Sequence, residues 1–180
     1  MTGPNIIEKI IRENGIRGLT TMIMYTAVLA LSVIVLIQIT RGQAFVPGPE
    51  RLAYFMSGVI VSEQHYLIVT MNLELIQANV SAFAYWTMKM AGIILMPFLL
   101  MNIVIVLFRT RVHPLLKAAY PGLFIIGVPL LHACYRKAKY VTYVNWNWIY
   151  SFLYGTSILA CTVAVSYLFY CRFCHERAVR

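Results

Sequence analysis

Two cysteines and a histidine near the carboxyl end of the chain have the spacing of a covalent haem attachment site. Cys171, Cys174 and His175 spell C-x-x-C-H within residues 170–180, YCRFCHERAVR. Thiolates and imidazole also bind zinc, but a structural zinc site needs four ligands and this motif supplies three. Which chemistry applies depends on the side of a membrane that these residues face.

Three further ionisable side chains lie in apolar surroundings. Glu63 and His65 are two residues apart, and His132 follows Pro129. A buried Glu and His can handle protons, whereas the same residues in a solvated turn have no such role. His132 is a candidate for haem ligation or proton relay, although a single histidine near a helix end more often bonds a neighbouring group.

The composition is that of a membrane protein. Of the 180 residues, 61% are hydrophobic and only 12% are charged, which is about half the charged share of a soluble domain. The net charge is +9 and aspartate is absent. Because the basic residues stand at the ends of apolar runs and do not cluster, the pattern favours a lipid bilayer as partner and excludes nucleic acid.

Four apolar runs are long enough to cross a bilayer, and they predict one integral membrane domain over residues 1–180. They cover about residues 20–39, 90–108, 118–135 and 148–171. A helix needs about 20 residues at a rise of 1.5 Å to cross roughly 30 Å of hydrocarbon. Backbone groups that face lipid must be bonded within their own segment, so these runs are predicted to be helices.

Residues 52–82 are apolar as well, but they alternate with period two around the polar Glu63 and His65. This pattern predicts two strands joined by a turn, inside an outer loop over residues 41–82. Val69, Met71 and Leu73 would then share one strand face and could contact a partner. The alternative is a fifth span, which would bury Glu63 and His65.

The distribution of positive charge favours four spans. With both ends inside, nine Lys and Arg residues lie inside and five outside; with five spans and an inside amino end, the numbers are six and eight. Cys171 and Cys174 are then on the inner side, whereas haem is attached on the translocated side. Neither haem nor a metal is therefore expected, and these cysteines are candidate palmitoylation sites at a helix end.

The amino-terminal residues 4–17 are predicted to form an amphipathic helix. Its apolar face carries four isoleucines, Ile6, Ile7, Ile10 and Ile11, and the opposite face is charged. Such a helix lies in the membrane interface or in the groove of a partner.

The sequence thus predicts an all-α membrane protein, a four-helix transmembrane bundle with a short extramembrane β-hairpin loop and an amino-terminal amphipathic helix. This layout is similar to that of claudin-type tetraspan proteins, although the W…G-L-W…C…C signature of their first outer loop is missing. The chain has no recognisable nucleophile with its base, catalytic carboxylate pair or nucleotide loop, so it is not expected to be an enzyme.

The predicted function is that of a non-catalytic accessory, scaffold or adhesion subunit, bound to other membrane subunits or to itself. The alternative is a channel or transporter subunit with Glu63 and His65 buried, and a third option is a haem-linked redox subunit. The sequon at Asn79 predicts the plasma membrane or another secretory-pathway membrane. The basic amphipathic start points instead to the mitochondrial inner membrane.

Overall fold

The computed structural model describes residues 26–34, 47–73, 75–78, 82–108, 112–144 and 146–179, and most of them are helical. Two helices end in or continue through a π-helical turn. The elements in chain order are α1 (described over residues 26–34), α2 (Gly48–Leu67), a first π turn (Ile68–Asn72), β1 (Ile76–Ala78), α3 (Ala82–Met90), a second π turn (Ala91–Leu95), α4 (Met96–Phe108), α5 (Pro114–Lys137), β2 (Val141–Tyr143) and α6 (Trp148–Val179).

Three of the helical stretches are long and apolar enough to cross a membrane. They are Tyr85–Phe108, Pro114–Lys137 and Trp148–His175, with 24, 24 and 28 residues. At 1.5 Å per residue each exceeds the roughly 30 Å of a hydrocarbon core. They include the predicted spans 90–108, 118–135 and 148–171. The chain is therefore consistent with an integral membrane protein.

The four-helix transmembrane bundle predicted from the sequence is not confirmed. Of the first predicted span, residues 20–39, the structure describes residues 26–34, and these are helical. The predicted amphipathic helix over residues 4–17 lies outside the described residues, and so do Ile6, Ile7, Ile10 and Ile11.

The predicted outer hairpin is wrong, because residues 48–72 form one continuous helical stretch, α2 and the first π turn. Pro49 lies in the first turn of α2, where no helical N–H partner is lost, and Glu50 complements the positive end of the helix dipole. The buried face is Glu50, Tyr54, Ser57, Gly58, Val61 and Ser62, which recur at helical spacing. Glu63 and His65 thus lie on a helix and not in a solvated turn.

Small side chains on this buried face bring α2 close to its neighbours. α2 packs against both α4 and α6. A Cβ atom at Gly58 would lie 3.0 Å from the Cα of Pro97 in α4. Ser57 and Ser62 donate to the carbonyls of Ala53 and Gly58, at 2.8 and 2.6 Å, so that their hydroxyls are bonded within the helix.

The helices enclose an apolar core to which α2, α4, α5 and α6 all contribute. Its buried members are Val61, Leu100, Ile103, Phe124, Val128, Ile158 and Leu159. Close approach of α5 and α6 again depends on a glycine, since a Cβ at Gly155 would lie 3.2 Å from Val128 side-chain atoms. α5 continues through Pro121 and Pro129 without ending.

A two-stranded antiparallel sheet closes one end of the bundle. β1 pairs with β2 in the register Ile76↔Tyr143, Gln77↔Thr142 and Ala78↔Val141. The short strand β1 is thus not half of the predicted hairpin, because its partner lies in the connection between α5 and α6. We call this end the sheet end; α2 and α5 finish here, and α3 and α6 begin here. The other end, which holds Gly48 and the last turns of α6, is the opposite end.

Replacement of Gly58 by alanine tests the contact between α2 and α4. The new methyl group would meet the backbone of Pro97, which cannot rotate away, so we expect Gly58→Ala to lower the free energy of unfolding by about 1–3 kcal/mol. The matched control is Gly127→Ala in α5, where a Cβ has no atom within 4 Å. Thermal unfolding in detergent measures both, and equal midpoints would contradict this packing.

Candidate functional site

A cavity of about 80 Å³ lies inside the bundle near the sheet end; we call it the inner cavity. It is formed where the last turns of α2 and α5 meet α3, the second π turn and the first turns of α6. Its polar lining consists of one carboxylate, one ammonium, one imidazole, one hydroxyl and five phenols, namely Glu63, Lys89, His132, Ser62, Tyr66, Tyr85, Tyr135, Tyr143 and Tyr154. The space suits a few water molecules or one small ion.

An ion pair between α2 and α3 forms one wall of the inner cavity. The Nζ atom of Lys89 donates to Oε2 of Glu63 over 2.7 Å, and both side chains are about three-quarters buried. The same Nζ lies 4.9 Å from the centre of the Tyr66 ring, within range of a cation–π contact. Each charge is thus neutralised where water is scarce, which is the condition for ionised groups to persist inside a bundle.

Both π turns lie next to these residues. The second π turn, Ala91–Leu95, follows Lys89 closely and contributes Ala91 and Gly92 to the lining. The first, Ile68–Asn72, begins two residues after Tyr66. A π turn adds a residue to a helical turn and is found frequently at functional sites. Here the turns support the assignment of the inner cavity as the candidate site.

His132 of α5 forms another wall and is held by aromatic rings and a hydroxyl. The rings of Tyr143, Trp146 and Tyr154 have centroids 5.5–5.9 Å from its own. Its Nδ1 lies 2.9 Å from Oγ of Ser151, and Nε1 of Trp146 donates to that oxygen over 2.7 Å. The Ser151 hydroxyl therefore accepts from the indole and shares a second hydrogen bond with His132, whose direction follows the tautomer of the imidazole.

Tyr143 holds the backbone of the same histidine. Its hydroxyl donates to the carbonyl of His132 over 3.3 Å. Burial raises the pKa of Tyr143 well above its usual range, so the phenol stays neutral and remains a donor. The strand pair at the sheet end therefore positions His132.

His65 does not pair with Glu63, although the sequence analysis treated the two together. Its Nδ1 lies 2.9 Å from the carbonyl of Val61, which can only accept, and its Nε2 lies 2.8 Å from Oγ of Ser157. Nδ1 therefore carries a proton and donates to Val61, and Nε2 shares a hydrogen bond with the Ser157 hydroxyl. His65 connects α2 to α6, whereas Glu63 connects α2 to α3.

The C-x-x-C-H motif lies far from the inner cavity. Cys171 and His175 are exposed and Cys174 is partly buried, all in the last turns of α6 at the opposite end. Cys171 is 17 residues beyond Tyr154, or roughly 25 Å along the helix. Within the described ranges, no three His, Cys, Asp or Glu side chains are grouped so that they could hold a metal ion.

The strand face predicted to contact a partner does not exist as such. Val69 lies in the first π turn and is buried at 8% exposure, whereas Met71 and Leu73 are 71% and 55% exposed. The alternation that placed the three on one strand face is therefore misleading, since the helix separates Val69 from the other two.

Sequence reasoning identified Glu63 and His132 but missed their partners Lys89, Ser151 and Trp146. Lys89 could have been found from its position inside an apolar stretch, because a chain with six acidic residues offers few carboxylates to neutralise it. Ser151 and Trp146 carried no comparable signal.

Comparison with known proteins gives no relative from which a role could be transferred. No protein-family model, no curated protein and no solved structure matches the chain. The function of this chain must therefore be inferred from the chemistry of the inner cavity and from its place in the bundle.

A double-mutant cycle tests the ion pair. Lys89→Met leaves the Glu63 carboxylate without its cation, and we expect it to destabilise the protein more than Glu63→Gln/Lys89→Met does. We expect a coupling of about 1 kcal/mol, as for polar contacts between membrane helices. Unfolding of the four variants in detergent measures it, and strictly additive effects would contradict the contact.

Proposed function

We propose that this chain is a channel or transporter subunit that carries protons or a small cation through its helix bundle. The observation that carries the proposal is the Glu63–Lys89 ion pair facing the inner cavity. Ionisable groups within a membrane bundle are costly to keep there, and they mark ion pathways and proton relays.

The length and packing of α2 support a place for it among the crossing helices. With the first π turn it has 20 and 5 residues, about 37 Å in all. Glu50 and Arg51 stand in its first turn, near an interface, and the deeper Glu63 is neutralised by Lys89. We propose α2 as an additional span, as in the alternative considered from the sequence, but with the carboxyl end on the cytoplasmic side.

Buried polar groups continue from the inner cavity toward the opposite end. On α6, Thr162 and Ser166 follow Ile158 at four-residue spacing, and all three are fully buried. Within the described part of the chain, neither hydroxyl has a hydrogen-bond partner. Further along, the Tyr54 hydroxyl donates to Glu50 over 2.7 Å. Hydroxyls without a partner in a core are expected to bind water or a passing ion, so they support a route.

The basic residues from the start of α2 onward support an orientation. Apart from Lys89, which is paired with Glu63, the described ones are Arg51, Lys117, Arg172 and Arg177 at the opposite end and Arg136, Lys137 and Lys139 at the sheet end. In the sequence, Arg109 and Arg111 stand between α4 and α5, and Arg180 follows α6. Positively charged loops stay in the cytoplasm, so we propose that the sheet end and its cavity face away from it.

Labelling tests this orientation in a background without native cysteines. Thr142→Cys lies at the sheet end and Leu115→Cys at the opposite end, both at exposed positions. We expect a membrane-impermeant maleimide to label Thr142→Cys in intact cells and Leu115→Cys only after permeabilisation. The reverse labelling pattern would contradict this orientation and would show that the inner cavity faces the cytoplasm.

A flux assay tests the function. In liposomes with a potassium gradient and valinomycin, we expect the wild-type protein to acidify the lumen faster than empty liposomes. Glu63→Gln should lower the rate roughly 100-fold, the usual contribution of a positioned proton-transfer group. Glu176→Gln, beyond the candidate span Trp148–His175, removes the same charge and should leave the rate unchanged.

Equal fluxes of H⁺, Na⁺ and K⁺ in wild-type and empty liposomes would overturn the transport proposal. The second candidate would then apply, a non-catalytic accessory or scaffold subunit bound to other membrane proteins. The exposed Met71 and Leu73 beside the strand pair favour it, because they offer apolar contacts next to a sheet edge. Localisation to a secretory-pathway membrane stays a prediction, since Asn79, whose sequon suggested it, lies outside the described residues.

A further inference from the structure

A second and more open cavity of about 390 Å³ adjoins the inner cavity at the sheet end; we call it the outer groove. It runs between the last turns of α5 and the first turns of α6. Its volume falls within the roughly 300–1,000 Å³ of small-molecule sites. His132 and Tyr143 line both cavities, so these two side chains form the partition between them.

The outer groove is basic at its mouth. Arg136 and Lys137 lie in the last turn of α5, are exposed and line the groove. None of its ten lining residues is acidic. Two adjacent cations at a membrane end, with no carboxylate in the same groove, select an anion.

Two indoles place the mouth at the level of the lipid headgroups. Trp146 and Trp148 line the groove at the start of α6, where that candidate span begins. Tryptophan is enriched at this depth because its ring is apolar and its N–H is polar. The anion that reaches Arg136 and Lys137 is thus one that resides in the interface.

The deeper part of the groove lies along the hydrocarbon region. Ala133 lines it about one turn below the cations, and the fully buried Pro129, about two turns below them, closes its floor. His132 and Ser151 line it too, with their polar atoms bonded to each other. From Lys137 to the floor at Pro129 the helix rises about 12 Å, most of the depth of one leaflet. A free phosphate ion would fill the mouth and leave this part empty, whereas an acyl chain would fill it.

We infer that the outer groove binds one anionic phospholipid. Its phosphate contacts Arg136 and Lys137, its glycerol region lies beside Trp146 and Trp148, and the upper part of an acyl chain packs against Ala133, above the floor at Pro129. The inference goes beyond the proposed transport, since it requires only that α5 and α6 lie in a bilayer.

Quenching of tryptophan fluorescence tests the site. The chain has 3 tryptophans, and Trp86→Phe leaves only the two that line the groove. In phosphatidylcholine vesicles with the Trp86→Phe protein, we expect chain-brominated phosphatidylglycerol to quench more strongly than chain-brominated phosphatidylcholine. Inorganic phosphate and glycerol 3-phosphate should not reverse the quenching, because neither supplies a chain.

Charge variants locate the binding. Arg136→Gln/Lys137→Gln should lower the preference for phosphatidylglycerol roughly 30-fold, the factor expected for two lost cation–headgroup attractions. The matched control, Lys117→Gln/Arg172→Gln, removes two charges from the opposite end and should keep the preference. If both double variants lose it equally, the attraction is general to the surface and the site is overturned.

A steric variant keeps the test decisive if the charge variant does not fold. Ala133→Phe fills the deeper part of the groove without changing charge, and it should weaken quenching by both brominated lipids. Quenching that is unchanged in Ala133→Phe would overturn the acyl-chain position. Reversal by inorganic phosphate in the Trp86→Phe protein would overturn the lipid in favour of a free anion.

Discussion

The need to neutralise a cation inside an apolar bundle constrains this structure most. Lys89 begins the most apolar stretch of the chain, and its ammonium group loses most of its hydration there. Only a carboxylate at contact distance compensates that loss, and Glu63 supplies it over 2.7 Å. The pair joins α2 to α3, and it adds to the packing against α4 and α6 that holds this weakly apolar helix in the bundle.

The sequence predicted α4, α5 and α6 well because their apolar runs are long and nearly free of charge. It failed at α2 because that helix buries Ser57, Gly58 and Ser62, which a search for apolar residues does not detect. The β-branched run before Glu63 then resembled a strand, although burial against α4 and α6 outweighs such propensities. The pairing of β1 with β2 joins residues far apart in the sequence, and no local pattern encodes it.

Some residues of the candidate site could be predicted from the sequence, but the contacts between them could not. Glu63 and His132 stand out as ionisable groups in apolar surroundings, but their partners come from other helices. The C-x-x-C-H motif was the most specific local signal, yet the fold leaves its residues at the opposite end, largely exposed. The spacing of residues in the sequence identifies side chains that could bind a ligand or transfer a proton. The tertiary contacts decide which of these side chains line a cavity.

The partition between the two cavities connects the proposed function with the proposed lipid. Trp146 lines the outer groove and donates to Ser151, and Ser151 in turn bonds His132 at the inner cavity. A lipid headgroup that moved the indole would remove the N–H donor from the Ser151 oxygen, and that hydroxyl is the group that also bonds His132. The outer groove and the inner cavity are therefore separated by a single layer of side chains whose hydrogen bonds are shared, and occupancy of one is expected to alter access to the other.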